Sequence, residues 1–142
     1  MMTFVAIEPP RIFPAIRFND AATMVPWLVK AFGFSVHASH VDGDGLLVHA
    51  QLSHGSSMIM CGQARDDAYA RLVGAPDGRG GKSVYVAVPD VDALFARAQA
   101  AGAEIVEEPT ERNYGNREFV CRDPEGNVWS FGSYWPKAHE RP

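Results

Sequence analysis

Hydrophobic positions along the chain change their period in the same order twice. In RIFPAIRFNDAATMVPWLVKAFGFSV (residues 11–36) a short apolar strand leads to Asp20, then to apolar residues at helical spacing, then to Gly33. GKSVYVAVPDVDALFARAQAAGAEIV (residues 81–106) repeats that order with Asp90 and Gly102. Asp before a helical pattern is a good N-cap, because its carboxylate accepts the orphan N–H groups of the first turn. Gly after the pattern takes the left-handed conformation that ends a helix at little cost. Val91, Leu94, Ala98 and Ala101 fall on one apolar face of the second predicted helix, as do Met24, Trp27, Leu28, Ala31 and Phe32 of the first. Pro26 interrupts the first helix, where it removes a hydrogen bond and crowds the preceding turn, so a kink or a later start is expected there.

Three short β-prone runs follow each helix, near 34–41, 45–53 and 57–62 in the first half and near 104–110, 116–122 and 127–134 in the second. The turn signals Asp42-Gly43-Asp44-Gly45, His54-Gly55-Ser56 and Asp123-Pro124-Glu125-Gly126 separate several of them. The chain thus divides into an N-terminal extension (1–10), a βαβββ module (11–62), a linker (63–82), a second βαβββ module (83–135) and a C-terminal tail (136–142). The linker opens with a short helical pattern and ends Gly-rich. One helix covers one face of each four-stranded sheet, and no other helix is expected to cover the opposite face. Such a face must meet another sheet or enclose something, which points to a cup built within one chain or across a dimer.

Composition narrows the function classes. An apolar fraction of 46% supports a packed core, and 13 Lys plus Arg against 17 Asp plus Glu leave a net charge of −4. With no basic block, the chain is not expected to bind nucleic acid. No apolar run approaches the roughly 20 residues of a membrane span. MMTFVAIEPP lacks the basic start and long apolar core of a signal peptide, so a cytoplasmic protein is expected. Cys61 and Cys121 lack metal or redox spacing and read as reduced core thiols.

The two Asp-to-Gly helices, the βαβββ repeat and DPEGNVWSF in the last hairpin resemble the vicinal oxygen chelate superfamily. That superfamily includes glyoxalase I, extradiol dioxygenases, fosfomycin-resistance enzymes and bleomycin-binding resistance proteins. The resemblance covers residues 11–135. It implies an α+β fold in which two βαβββ modules form mixed sheets that curl into a cup, with the helices on the outer face. Metal-dependent members take their ligands from the first and fourth strands of each module. Carried onto this chain, those positions fall on Phe13, Met60, Ser83 and Ser130. None offers the imidazole or carboxylate that a divalent ion prefers, so no metal and no cofactor is expected.

Strand alternation extends this frame to the cup lining. Phe13, Ala15 and Arg17 line the first strand; Leu47, His49 and Gln51 the third, with Leu46, Val48, Ala50 and Leu52 on the core side. Met58 and Met60, then Ser83 and Tyr85, then Ser130 and Tyr134 follow in phase, and the resemblance adds Glu118 and Val120. Trp129 and Phe131 face the helices, and Tyr114 sits in a loop at the cup mouth. An apolar lining with a few convergent polar groups is what a small-molecule site needs. Plainer roles stand beside this one. His49 can bond Glu118 or Gln51, Arg17 can pair with Glu118, and Tyr85 and Tyr134 can be dimer contacts. His37, His40, His54 and His139 are expected to be exposed. The expected function is a metal-free, homodimeric binder of an aromatic or antibiotic-like small molecule. The alternatives are a glyoxalase-like lyase or isomerase with a displaced site at His49, Glu118 and Gln51, and a structural dimer with no ligand.

Overall fold

A computed structural model describes residues 8–139. Most of the expected N-terminal extension, the last residues of the tail and the Tyr114 side chain lie outside the described part. The elements are β1 (Ala15–Phe18), α1 (Ala21–Phe32), β2 (Ser35–Val41), β3 (Leu47–His54), β4 (Ser57–Gln63), α2 (Ala68–Val73), β5 (Val84–Ala87), α3 (Val91–Ala100), β6 (Glu104–Glu111), β7 (Arg117–Arg122) and β8 (Val128–Gly132), with a single 3₁₀ turn at Asn113–Gly115. They form two curled four-stranded sheets, ordered β1-β4-β3-β2 and β5-β8-β7-β6. The pairs β1–β4 and β5–β8 are parallel and the rest are antiparallel. This is the α+β architecture of repeated βαβββ units that the chain pattern predicts. Among the described residues no helix is long and apolar enough to cross a membrane.

The caps form as the sequence requires. Asp20 accepts from Thr23 N–H and Asp90 from Ala93 N–H, while Gly33 closes α1 at φ 82°. α1 starts at Ala21 and runs through the exposed Pro26, so the delayed start expected from that proline does not occur. Asp20 and the buried face of Met24, Val25 and Leu28 hold the first turn in place despite the lost bond.

The core lies between the helices and one face of each sheet. Phe18, Ala50, Leu52, Ile59 and Cys61 come from the first sheet and Phe119, Cys121, Trp129 and Phe131 from the second. Burial pushes the Cys61 thiol up to about 11 and the Cys121 thiol up to about 12, so both stay protonated at neutral pH.

The two halves share this core. Phe32 of α1 reaches across to the second sheet, with ring centroids 5.1 Å from Trp129 and 4.7 Å from Phe131. Both ends of α1 are tied to the second half as well. The Glu125 carboxylate, on the β7–β8 turn, accepts from the backbone N–H of Asn19 and Asp20 at 2.6 and 2.8 Å. Arg97 of α3 donates to the carbonyls of Lys30 and Val29 at 2.7 and 3.0 Å, satisfying orphan acceptors at the helix C-terminus.

Two further expectations about the first module need correction. β3 carries an irregularity where His40 pairs with His49 but Val41 pairs with Leu47. The extra residue, Val48, leaves the alternation, so Leu47 packs on the core and Val48 lines a cavity on the other side. Gly62 on β4 makes room for this, since a Cβ there would sit 2.3 Å from the Val48 carbonyl oxygen. His54 is not an exposed surface histidine. It is half-buried against the Phe34 ring, with Nε2 2.9 Å from the Phe32 carbonyl.

Candidate functional site

The sheet registers bring the two halves into the same frame. Across the first sheet, Ala15, Met60 and Gln51 are neighbours; across the second, Tyr85, Ser130 and Val120. Cross-strand partners share a face. Their chain neighbours Ile16, Cys61 and Ala50, and Val86, Phe131 and Phe119, belong to the core, so both rows occupy the face away from the helices.

On the first sheet that face is covered in part. α2 and the following loop stand over it and border an open cavity of about 520 Å³. Ala15, Arg17, His49 and Met60 form its floor, Tyr69 and Val73 of α2 one wall, and Lys82, Ser83 and Val128 the side toward the second sheet. The expectation that no further helix would stand over this face is therefore corrected. The linker supplies one.

An ion pair holds that wall. Arg17 donates two hydrogen bonds to Asp67, at 2.9 and 2.7 Å, and its guanidinium lies 4.9 Å from the Tyr69 ring centroid. Asp67 also caps α2 by accepting from Ala70 N–H at 2.9 Å. The Arg17 hydrogen bonds, then the Ala70 N–H, hold the Asp67 carboxyl well below the usual carboxylate range, and Asp67 in turn raises Arg17. A depressed carboxyl stabilises the folded form above its ordinary range and loses that contribution only as pH falls through the depressed value. The pair thus persists at neutral and mildly acid pH. The alternative pairing of Arg17 with Glu118 does not form. Glu118 accepts from Arg112 Nε at 3.3 Å, and Arg112 also bridges to Glu107.

His49, Gln51 and Tyr85 are engaged too. Gln51 Nε2 donates to His49 Nε2 at 3.3 Å, so His49 bonds Gln51 rather than Glu118. On the second sheet the Tyr85 ring lies over Gly132, where an added Cβ would meet its hydroxyl at 2.5 Å. That hydroxyl donates to the Tyr134 carbonyl at 2.6 Å, and burial followed by the Glu118 charge pushes the phenol up, keeping it a donor. Tyr134 lies beyond the end of β8 and is about half exposed.

Of the residues singled out from sequence, the cavity gathers Arg17, His49, Met60 and Ser83. Phe13, Gln51, Met58, Tyr85, Glu118, Val120, Ser130 and Tyr134 lie outside its lining. Sequence reasoning did not include Tyr69, Val73 and Lys82. The available signal was Asp67 before the short helical pattern AYARLV, which reads as a capped helix but names no face for it to cover.

The four positions that the metal-binding pattern would use carry a phenyl ring, a thioether and two hydroxyls, at Phe13, Met60, Ser83 and Ser130. That donor set does not fit a divalent ion. Among the described residues no three His, Cys, Asp or Glu side chains come together as a metal-holding group.

Comparisons with known proteins agree with this architecture. The chain is 35% identical over 130 residues to the uncharacterised Mycobacterium bovis protein Mb0911c, covering 87% of this chain and 82% of that one. The solved structure of TioX from Micromonospora sp. ML1 matches with a TM-score of 0.70 at 32% identity, over 87% of this chain and 94% of that one. A glyoxalase/bleomycin resistance protein/dioxygenase family enzyme from Burkholderia phytofirmans PsJN matches with a TM-score of 0.64 at 25% identity, over 84% and 94%. The family model for the Glyoxalase/Bleomycin resistance protein/Dioxygenase superfamily matches residues 11–131, the same repeat that builds both sheets and the cavity floor. The chain belongs to that superfamily.

Proposed function

We propose that this protein is a metal-free binder of an aromatic or antibiotic-like small molecule. The observation that carries the reading is the cavity of about 520 Å³ on the face of the first sheet opposite α1. Met60, Val73 and Val128 offer adaptable apolar contact there, and Arg17 is already engaged by Asp67. The enzyme alternative draws less support. His49 lines the cavity on β3 of the first sheet, whereas Glu118 sits on β7 of the second sheet with Arg112.

Titration with N-phenyl-1-naphthylamine, a neutral aromatic fluorophore, tests the reading on protein dialysed against a chelator. Saturable binding at one site per chain is expected. Met60→Trp fills the floor and should weaken binding at least about tenfold, or ~1.4 kcal/mol, with an unchanged circular dichroism spectrum. No saturable binding by the wild-type protein would end the proposal. One tightly held divalent ion per chain after dialysis would favour the enzyme instead.

The proposal includes a cytoplasmic homodimer, for which the exposed Val36, Val106 and Trp135 supply apolar contact area. Light scattering at micromolar concentration should give twice the 15.5 kDa chain mass, and a monomer would remove this part.

A further inference from the structure

The linker does more than wall the apolar cavity. Its Gly-rich end, Gly78-Arg79-Gly80-Gly81-Lys82, forms a second cavity of about 470 Å³ with Ser83, Arg122 and Val128. The two cavities adjoin, since Asp77, Gly78, Lys82, Ser83 and Val128 line both. Their chemistry differs. The first is bounded mainly by apolar side chains, while the second is lined by Arg79, Lys82 and Arg122 and, among the described residues, by one carboxylate, Asp77. One Asp77 oxygen already accepts from Arg79 N–H at 2.9 Å. Arg122 has an outside partner in Glu104 at 3.6 Å, a long pair between two side chains that are each more than two-fifths exposed, and therefore weak.

Local geometry shapes this cavity. Lys82 folds back so that Nζ donates to the Arg79 carbonyl at 2.9 Å. Gly78 packs its backbone on the β7–β8 turn, where a Cβ would meet the Gly126 carbonyl oxygen at 2.4 Å, and its φ of 72° is one a side chain rarely adopts. Gly80 and Gly81, at φ 102° and 77°, add no side chains between the backbone and the cavity. A chain with a net charge of −4 thus places three cations along the cavity that adjoins its apolar one. Neighbouring cations repel unless an anion lies among them.

We infer that the ligand carries an anion: an apolar, planar body seated over Met60 and a carboxylate, sulfonate or phosphate group held by Arg79, Lys82 and Arg122. This rests on the small-molecule-binding reading of the apolar cavity and adds the ligand's charge to it.

Two matched fluorophores separate the body from the anion. 8-Anilino-1-naphthalenesulfonate carries the sulfonate, and N-phenyl-1-naphthylamine has the same aromatic body without it. The sulfonate should displace the neutral probe competitively. Raising salt from about 0.05 to 0.5 M should weaken only the sulfonate, because screening acts on exposed charge. The double variant Arg79→Gln/Arg122→Gln should weaken the sulfonate roughly five- to tenfold and leave the neutral probe within about twofold. Arg79→Glu alone should weaken the sulfonate similarly, and it reads the effect if the double variant fails to fold. If the neutral probe binds while the sulfonate fails to bind, fails to compete, or ignores both salt and the variants, the anion inference is overturned and the apolar cavity stands. If neither probe binds, both fall.

Discussion

Trp129→Ala should be among the most damaging single substitutions in this chain, lowering stability by about 3–5 kcal/mol. Trp129 is fully buried at the point where the two halves meet, with ring neighbours Phe32 at 5.1 Å, Phe34 at 5.8 Å and Phe131 at 6.4 Å. Phe32 and Phe34 come from the first module and Phe131 from the second, so truncation opens a cavity that neither half can close alone. Against the 5–15 kcal/mol that a domain typically holds, the loss shifts the melting temperature by roughly 10–20 °C. Urea unfolding followed by far-ultraviolet circular dichroism measures it. Tyr85→Ala is the matched control. Tyr85 is 38% exposed and loses one strong hydrogen bond, so its cost should be well below that of Trp129→Ala. The reverse order would mean that the shared core does not hold the halves together.

Asp123→Ala should cost roughly 3 kcal/mol, because it orphans several donors at once rather than one. The carboxylate is 4% exposed. It accepts from the backbone N–H of Glu125 and Asn127 at 2.9 and 3.0 Å, from Asn127 Nδ2 at 2.9 Å, and from Trp129 Nε1 at 3.0 Å. Removing it leaves the Trp129 N–H buried without a partner and loosens the turn that carries Glu125 to the start of α1. Asp123→Asn keeps one acceptor oxygen and should recover part of the loss. Unfolding curves for the two variants, with the near-ultraviolet signal of Trp129 as a second probe, give the comparison. A cost below about 1 kcal/mol for the alanine would show that the turn's backbone bonds suffice. Asp123 thus makes this turn a structural staple, while Val128 of the same stretch lines the cavity.

The repeat was readable from the chain because its signals are local. Asp20, Asp90, Gly33 and Gly102 act on backbone groups within a few residues, and the period of the apolar positions separates helix from strand without reference to the rest of the fold. Counting with period two placed Trp129 and Phe131 on the core face and Ser130 on the other. The same count failed at Leu47 and Val48, because a bulge depends on what lies across the sheet, here the close approach of the Val48 carbonyl to Gly62.

Contacts between distant segments decided the rest. Phe32 could be assigned to an apolar helix face, yet its packing on Trp129 and Phe131 exists only once the two modules dock. Arg17 read as a polar point in a cup, but its partner Asp67 is 50 residues away, at the N-cap of a helix that the linker places over the sheet. Periodicity specifies which face of an element is apolar, whereas the choice among surfaces that could cover it is made by shape and charge across the whole chain. The cavity is made in that second way, from sheet residues whose phase, Val48 apart, was legible and from a linker whose destination was not.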